Sequence, residues 1–121
     1  MLADVDRYIC GLTAPEDDLL QSIQDRCDAA GLPPHSVSAS QGKLLAFLAG
    51  LTGATRILEL GTLGGYSTAW MARALPARGT LLTIEADPRH AAVAAANFRA
   101  AGLDGIIELR EGKALPILQE L

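Results

Sequence analysis

Five residues, Arg56-Ile57-Leu58-Glu59-Leu60, run straight into Gly61-Thr62-Leu63-Gly64-Gly65, and helical spacing resumes from Tyr66 to Leu75, where Pro76 stops it. A short apolar run bounded by turn residues predicts a buried strand, and the glycines predict a tight turn into the helix that follows. The unit then repeats. Thr80 to Glu85 reads as a second strand, Pro88 to Ala101 as an alanine-rich helix ended by Gly102, Ile106 to Leu109 as a third strand, and Lys113 to Leu121 as the start of another helix. Strand and helix in alternation predict parallel strands joined by right-handed crossovers. The expected fold class is therefore α/β, one mononucleotide-binding half of a doubly wound, Rossmann-like sheet, with spatial strand order 3-2-1 and the second half missing.

The chain before this unit has a different grammar. Leu2, Val5, Ile9 and Leu12 are spaced as one helix. Thr13-Ala14-Pro15-Glu16 predicts the start of a second, with proline at the first helical position and Glu16, Asp17 and Asp18 in the first turn. Its apolar stripe is Leu19, Leu20, Ile23 and Cys27, and Gly31, Pro33 and Pro34 end it. A polar linker, His35 to Ser40, leads to a third helix from Gln41 to Thr52, stopped by Gly53. The expected organisation is a helical segment, residues 1–53, followed by the β-α-β-α-β half, residues 54–121. A sheet that stops at its first strand leaves that strand's inner edge unpaired, which is an association hazard. The expectation is a homodimer, or a chain that belongs to a longer parent.

Composition narrows the class of partner. With half of its residues hydrophobic and a net charge of only -4, the chain can bury a core and does not read as disordered. Its ten Lys and Arg are scattered, with no basic run to suit a nucleic acid. No apolar stretch approaches the roughly 20 residues of a membrane span, and no basic-then-apolar leader follows Met1, so cytoplasm is the default. Cys10 and Cys27 fit no metal or CxxC spacing and read as free, half-buried thiols. His35 and His90 have no partner ligands in sequence and read as surface residues. Trp70 reads as packing, and Lys43 and Lys113 as solvated charges.

In a doubly wound sheet the ligand crevice lies outside the carboxyl ends of the strands. Gly61 permits the tight turn and a close approach to the backbone. Gly64 and Gly65 free the helix start, whose exposed N–H groups suit a carboxylate or phosphate, and Ser67 adds a hydroxyl donor there. Glu85 closes the second strand close to the roughly 20-residue spacing at which an acid accepts hydrogen bonds from ribose hydroxyls. A carboxylate repels a ribose phosphate, so the ligand carries a free ribose. A dinucleotide such as NAD and an adenosine derivative such as S-adenosylmethionine both meet this. Leu63 in place of a second glycine, and Glu59 two residues before the first, weigh toward the methyl donor.

The strings VSASQGKLL, RILELGTLGGYSTAWMARALP, TIEADPRHAAVAAANFRAAGL and LREGKALPIL closely resemble the bacterial O-methyltransferases of the caffeoyl-CoA and catechol O-methyltransferase superfamily. The resemblance covers nearly the whole chain, including the PEDDLL helix start. It implies that Gly61 lies against the methionine part of S-adenosylmethionine, that Ser67 and the backbone of Val37 hold its carboxylate, and that Glu59 shapes the loop beneath. It further implies that Glu85 binds both ribose hydroxyls, with Ala86 on one side of the adenine and Gly112 and Ala114 on the other. The implied reaction is methyl transfer to a hydroxyl of a small, catechol-like acceptor, assisted by a divalent metal, usually Mg²⁺. The family's metal-ligating acids and its lysine base fall on later strands, beyond Leu121, so no catalytic residue and no metal ligand is assigned. Asp17-Asp18 reads as a helix start, and Glu108 and Glu111 as a solvated rim. Two other readings stand beside this one: a truncated, non-catalytic binding or dimerisation fragment, and an NAD-linked oxidoreductase.

Overall fold

Three parallel strands carry the fold, and every other element is placed by how it reaches or covers them. In the computed structural model, which describes all residues from Met1 to Leu121, the order is α1 (Leu2–Thr13), α2 (Asp18–Ala29), α3 (Ala39–Leu51), β1 (Arg56–Leu60), α4 (Tyr66–Arg73), β2 (Thr80–Glu85), α5 (Pro88–Ala100), β3 (Ile107–Glu111) and α6 (Ala114–Gln119). The spatial order is β1-β2-β3, all parallel, with Arg56 opposite Thr80, Glu59 opposite Thr83, and Glu85 opposite Glu111. The fold is the Rossmann-like arrangement expected from the alternation of elements.

Several boundaries depart from the sequence expectation, α4 ending at Arg73 short of Leu75 among them, and three starts or extensions have a plain cause. The second helix starts at Asp18, not at Pro15, because the Asp17 carboxylate caps it by accepting from the Leu20 N–H at 3.1 Å. The third starts at Ala39, before Gln41, because Ser38 and Gln41 form a reciprocal capping box. Strand β3 begins at Ile107 and continues through Arg110 to Glu111, past Leu109, because its register against Leu81–Glu85 supplies backbone partners that its polar residues could not signal.

The core lies on one face of the sheet. Leu81 and Ile107 from the strands meet Ala69 and Ala72 of α4, Ala94 and Phe98 of α5, and Leu20 and Ile23 of α2. Helix α3 lies against α4 at close range, because Gly42 faces the Trp70 indole where any Cβ would overlap it. Helix α1 packs mainly on α3 and buries none of its residues. On the other face Ile84 of β2 is buried, but the β1 side is open: Leu58 and Leu60 are about half exposed, at 50% and 55%. Strand β1 has a partner strand on one side only. Of the two thiols, Cys27 is buried and Cys10 half-buried.

Candidate functional site

Strand β1 ends at Leu60, and the next residue turns the chain. Gly61 sits at φ +85°, donates its N–H to the Ile84 carbonyl at 2.9 Å, and faces open space where a Cβ would stand. Leu63 follows at φ +52°, left-handed backbone that costs a branched residue about 1–2 kcal/mol. A charge-assisted bond offsets it: the Leu63 and Thr62 amides donate to Oε2 of Glu85 at 2.8 and 3.0 Å. Gly64 and Gly65 are not cleared for a ligand, as the sequence suggested, but for the protein's own core. The Cys27 sulfur fills the space beside Gly64 and the Phe98 ring that beside Gly65.

Glu59 is the hub beneath this loop. Its Oε2 accepts from Ser67 Oγ at 2.7 Å, and its Oε1 accepts from the Thr68 and Thr83 hydroxyls at 2.5 and 2.7 Å. Thr83 spends its one proton on Glu59, so in the 2.5 Å pair between Thr62 and Thr83 it is Thr62 that donates. The Ser67 hydroxyl thus points down at Glu59, not outward as a donor for a ligand. What the helix start offers is backbone: the Tyr66, Ser67 and Thr68 amides open α4 and have no intrahelical partner, the first helical bond being Ala69 N–H to Gly65 O, and of the three residues Tyr66 and Ser67 line the cleft while Thr68 is fully buried. Together with the helix dipole they form an anion-seeking end.

Glu85 is buried at the end of β2. Its Oε1 accepts from the Asp87 amide at 2.9 Å, and His90 Nδ1 stands 3.7 Å away. Burial alone would raise its pKa, but the Asp87, Leu63 and Thr62 amides, with His90, bring it below the ordinary glutamate value. His90 is therefore no free surface residue; its side chain is 19% exposed and lies between Glu85 and Asp87. Asp87 caps α5 through the Arg89 amide at 2.8 Å, and the Arg89 guanidinium lowers its pKa to about 2.

The remaining expected residues fall around this centre. Val37, Gly61 and Ser67 line one cleft of about 130 Å³ with His35, Leu63 and Tyr66. Gly112 donates its N–H to the Glu85 carbonyl at 2.8 Å, which brings the end of β3 beside the end of β2. Ala86 is exposed in the turn after β2, and Ala114 is half-buried at the first residue of α6. Neither lines the cleft beside Gly61. Tyr66 closes the cleft floor, its hydroxyl donating to Glu16; burial, and then Glu16, push its pKa up. A larger cleft of about 380 Å³ lies among Arg56, Leu58, Leu82 and Arg110 on the sheet. It lies by the amino ends of β1 and β2, away from the strands' carboxyl ends and from any helix N-terminus, so the crevice rule points to the smaller one. No group of three His, Cys, Asp or Glu is placed to hold a metal ion, so the residues present do not fit one.

Sequence reasoning missed the hydroxyls of Thr62, Thr68 and Thr83. A signal existed for Thr83, a polar residue inside the apolar run TLLTIE, which the parallel register sets opposite Glu59.

Comparison with known proteins bears on this site. Residues 11–121 match the family described as O-methyltransferase. A catechol O-methyltransferase of Niastella koreensis is 54% identical over 117 residues, covering 97% of this chain and 53% of the relative. Another from Mycobacterium tuberculosis is 43% identical, covering 98% and 54%. Among solved structures, the O-methyltransferase from Bacillus cereus in complex with SAH superposes with a TM-score of 0.93 at 44% identity, over 97% of this chain and 53% of that one. A Streptomyces achromogenes O-methyltransferase involved in tomaymycin synthesis, in complex with SAM, gives 0.90 at 46%, over 98% and 53%. The chain spans about half the length of the curated relatives it matches.

Proposed function

This chain belongs to the O-methyltransferase family, and from that premise we propose that it is the S-adenosylmethionine-binding part of an enzyme that methylates a hydroxyl of a small, catechol-like acceptor. The observation that carries the reading is the placement of the Glu85 carboxylate, at the end of β2, directly against the Gly61–Gly65 loop at the end of β1. The open space over Gly61 fits the approach of a ligand to the backbone.

In this reading the methionine part lies against Gly61. Its carboxylate meets the free amides of Tyr66 and Ser67, with the Val37 backbone on the far side of the cleft. Ser67 acts through its N–H, its hydroxyl being held by Glu59. Oε1 of Glu85 takes only the Asp87 amide, which leaves it one acceptor site for a ribose hydroxyl; Oε2 already accepts the Thr62 and Leu63 amides, so the second hydroxyl reaches the carboxylate only in place of one of them. Ala86 bounds one side of the adenine, Gly112 and Ala114 the other. Bound there, S-adenosylmethionine supplies a methyl group on a cationic sulfur. The residues of this chain bind and orient it, and no proton transfer or metal step is assigned to them. Mg²⁺ enters the proposal only for a longer parent.

The proposal extends to organisation. Residues 1–53 are the helical segment and 54–121 the nucleotide-binding half. The setting is the cytoplasm; no helix is long and apolar enough to cross a membrane. The one-sided β1 edge with Leu58 and Leu60 beside it supports self-association as a homodimer.

Calorimetric titration with S-adenosylhomocysteine tests the central reading, with NADH as the competing ligand and Glu85→Ala as the variant. Saturable binding of the first, none of NADH, and at least a tenfold loss in the variant are expected. A native chain that binds neither is a folded part without a cofactor site of its own, and one that binds only NADH is an oxidoreductase half.

A further inference from the structure

Behind the glycine loop lies a polar arrangement that the cofactor reading does not use. Asn97 of α5 is fully buried, at 0% exposure. Its Nδ2 donates to the Gly64 carbonyl at 2.8 Å and lies 4.0 Å from the Cys27 sulfur, while its Oδ1 accepts from Arg26 Nη1 of α2 at 3.3 Å. A guanidinium only donates and a carbonyl only accepts, so these two neighbours fix which way the amide faces. Three segments far apart in sequence therefore converge on one peptide group, the one joining Gly64 to Gly65.

That peptide leads into Gly65, the residue that caps α4, and one further peptide, Gly65–Tyr66, opens the helix. Gly65 donates to Thr62 O and accepts from the Ala69 N–H, both at 2.9 Å. The Gly64–Gly65 plane sets how Gly65 is held as the cap, and through it how the first amides of α4 are presented. Two consecutive glycines would otherwise leave this plane free to rotate, and the Cys27 sulfur and Phe98 ring restrain it only by contact.

We propose that Asn97 is a positioning residue for the cofactor. By holding the Gly64 carbonyl toward the interior it orients the start of α4, so that its free amides face the carboxylate of the ligand, and Arg26 keeps the Asn97 amide in the donating orientation. This rests on the reading of the loop as the S-adenosylmethionine site.

The test compares Asn97→Asp, Asn97→Leu and Leu103→Ala in the 121-residue chain. Leu103 sits in the core cluster with Cys27 and Phe98, and its side chain makes none of the loop's hydrogen bonds, so it reports what destabilisation does without touching the Gly64 carbonyl. Asn97→Asp keeps size and the Arg26 contact, removes the donor and sets a carboxylate oxygen against the Gly64 carbonyl, while Asn97→Leu removes the donor without adding charge. Each variant is measured at the same interval below its own melting temperature. Hydrogen exchange at the Gly65 and Ala69 amides should quicken at least tenfold in both Asn97 variants relative to Leu103→Ala, and S-adenosylhomocysteine should bind at least tenfold more weakly. Equal exchange in all three overturns the proposal, as does unchanged affinity in Asn97→Asp. If the native chain binds no S-adenosylhomocysteine, the cofactor reading fails, and the exchange comparison still decides whether Asn97 orients the helix start.

Discussion

Replacing Gly64 by alanine places a methyl group inside the volume of the Cys27 sulfur. The backbone offers no objection, because Gly64 lies outside the left-handed region that Gly61 and Gly65 occupy. The cost is therefore steric alone. Overpacking a full core costs about 1–3 kcal/mol, and the stiffer unfolded chain returns about 0.4–1, so the single variant should lose about 1–2 kcal/mol. Cys27→Ala removes a buried sulfur and leaves a small void, a loss of about 1 kcal/mol by analogy with deleting one methylene-sized group. In the double variant the new methyl enters the space the sulfur vacates. Its next neighbours are Cys27 Cβ and Leu32 Cδ2, both at 3.5 Å, an ordinary contact distance. The two losses should then cancel in large part, giving a coupling of about 1–3 kcal/mol, well beyond the roughly 0.5 kcal/mol scatter of independent sites. Urea unfolding at neutral pH measures all four corners of the cycle. With a slope of about 1–3 kcal/mol per molar, Gly64→Ala should shift the midpoint by several tenths of a molar and the double variant should recover most of it. Additive losses would refute the argument and show that Gly64 is needed for something other than room for the sulfur.

Two further outcomes follow from the carboxylates. Glu59→Gln turns an acceptor of three hydroxyl protons into an amide that presents its own donors to them; a loss of about 1–3 kcal/mol in urea unfolding is expected, and an unchanged midpoint would remove Glu59 as the hub. Glu85 has a depressed pKa in the folded chain, so the stability it contributes is fully present above the ordinary glutamate range and is lost as the pH falls through that range and below it. Unfolding midpoints measured from pH 7 down to 3 should decline less steeply in Glu85→Ala than in the native chain, and parallel curves would show that the carboxylate is not held by the loop amides.

Local signals carried the fold a long way. Strands β1 and β2 begin and end where glycines, a proline and apolar runs place them, and Gly61 and Glu85 stand where the crevice rule puts them. The errors fell where the deciding partner is distant or where two local signals compete. Pro15 is a sound helix start, but Asp17 is a better cap. Arg110 and Glu111 look like loop until Ile84 and Glu85 pair with them. His90 looks like surface until the turn of α5 sets it against Glu85. The Ser67 hydroxyl, expected to meet a ligand, meets Glu59, a pairing that helical geometry and the turn bring about together. Cys27 was legible as part of an apolar stripe, but its place against Gly64 was not, and Asn97 and Phe98 gave no local hint, since what the three do is fill space and satisfy a carbonyl in a loop tens of residues away.

The loop's own bonds to Glu59 and Glu85 have a kinetic corollary. Its shape is set by groups of the chain itself, through the Thr62, Leu63, Ser67 and Thr68 contacts, so a ligand arriving at the cleft has no segment to fold before it can dock. Association should then proceed at the pace of ordinary encounter, with little sensitivity to substitutions around the cleft, and differences in affinity among variants should appear as differences in residence time.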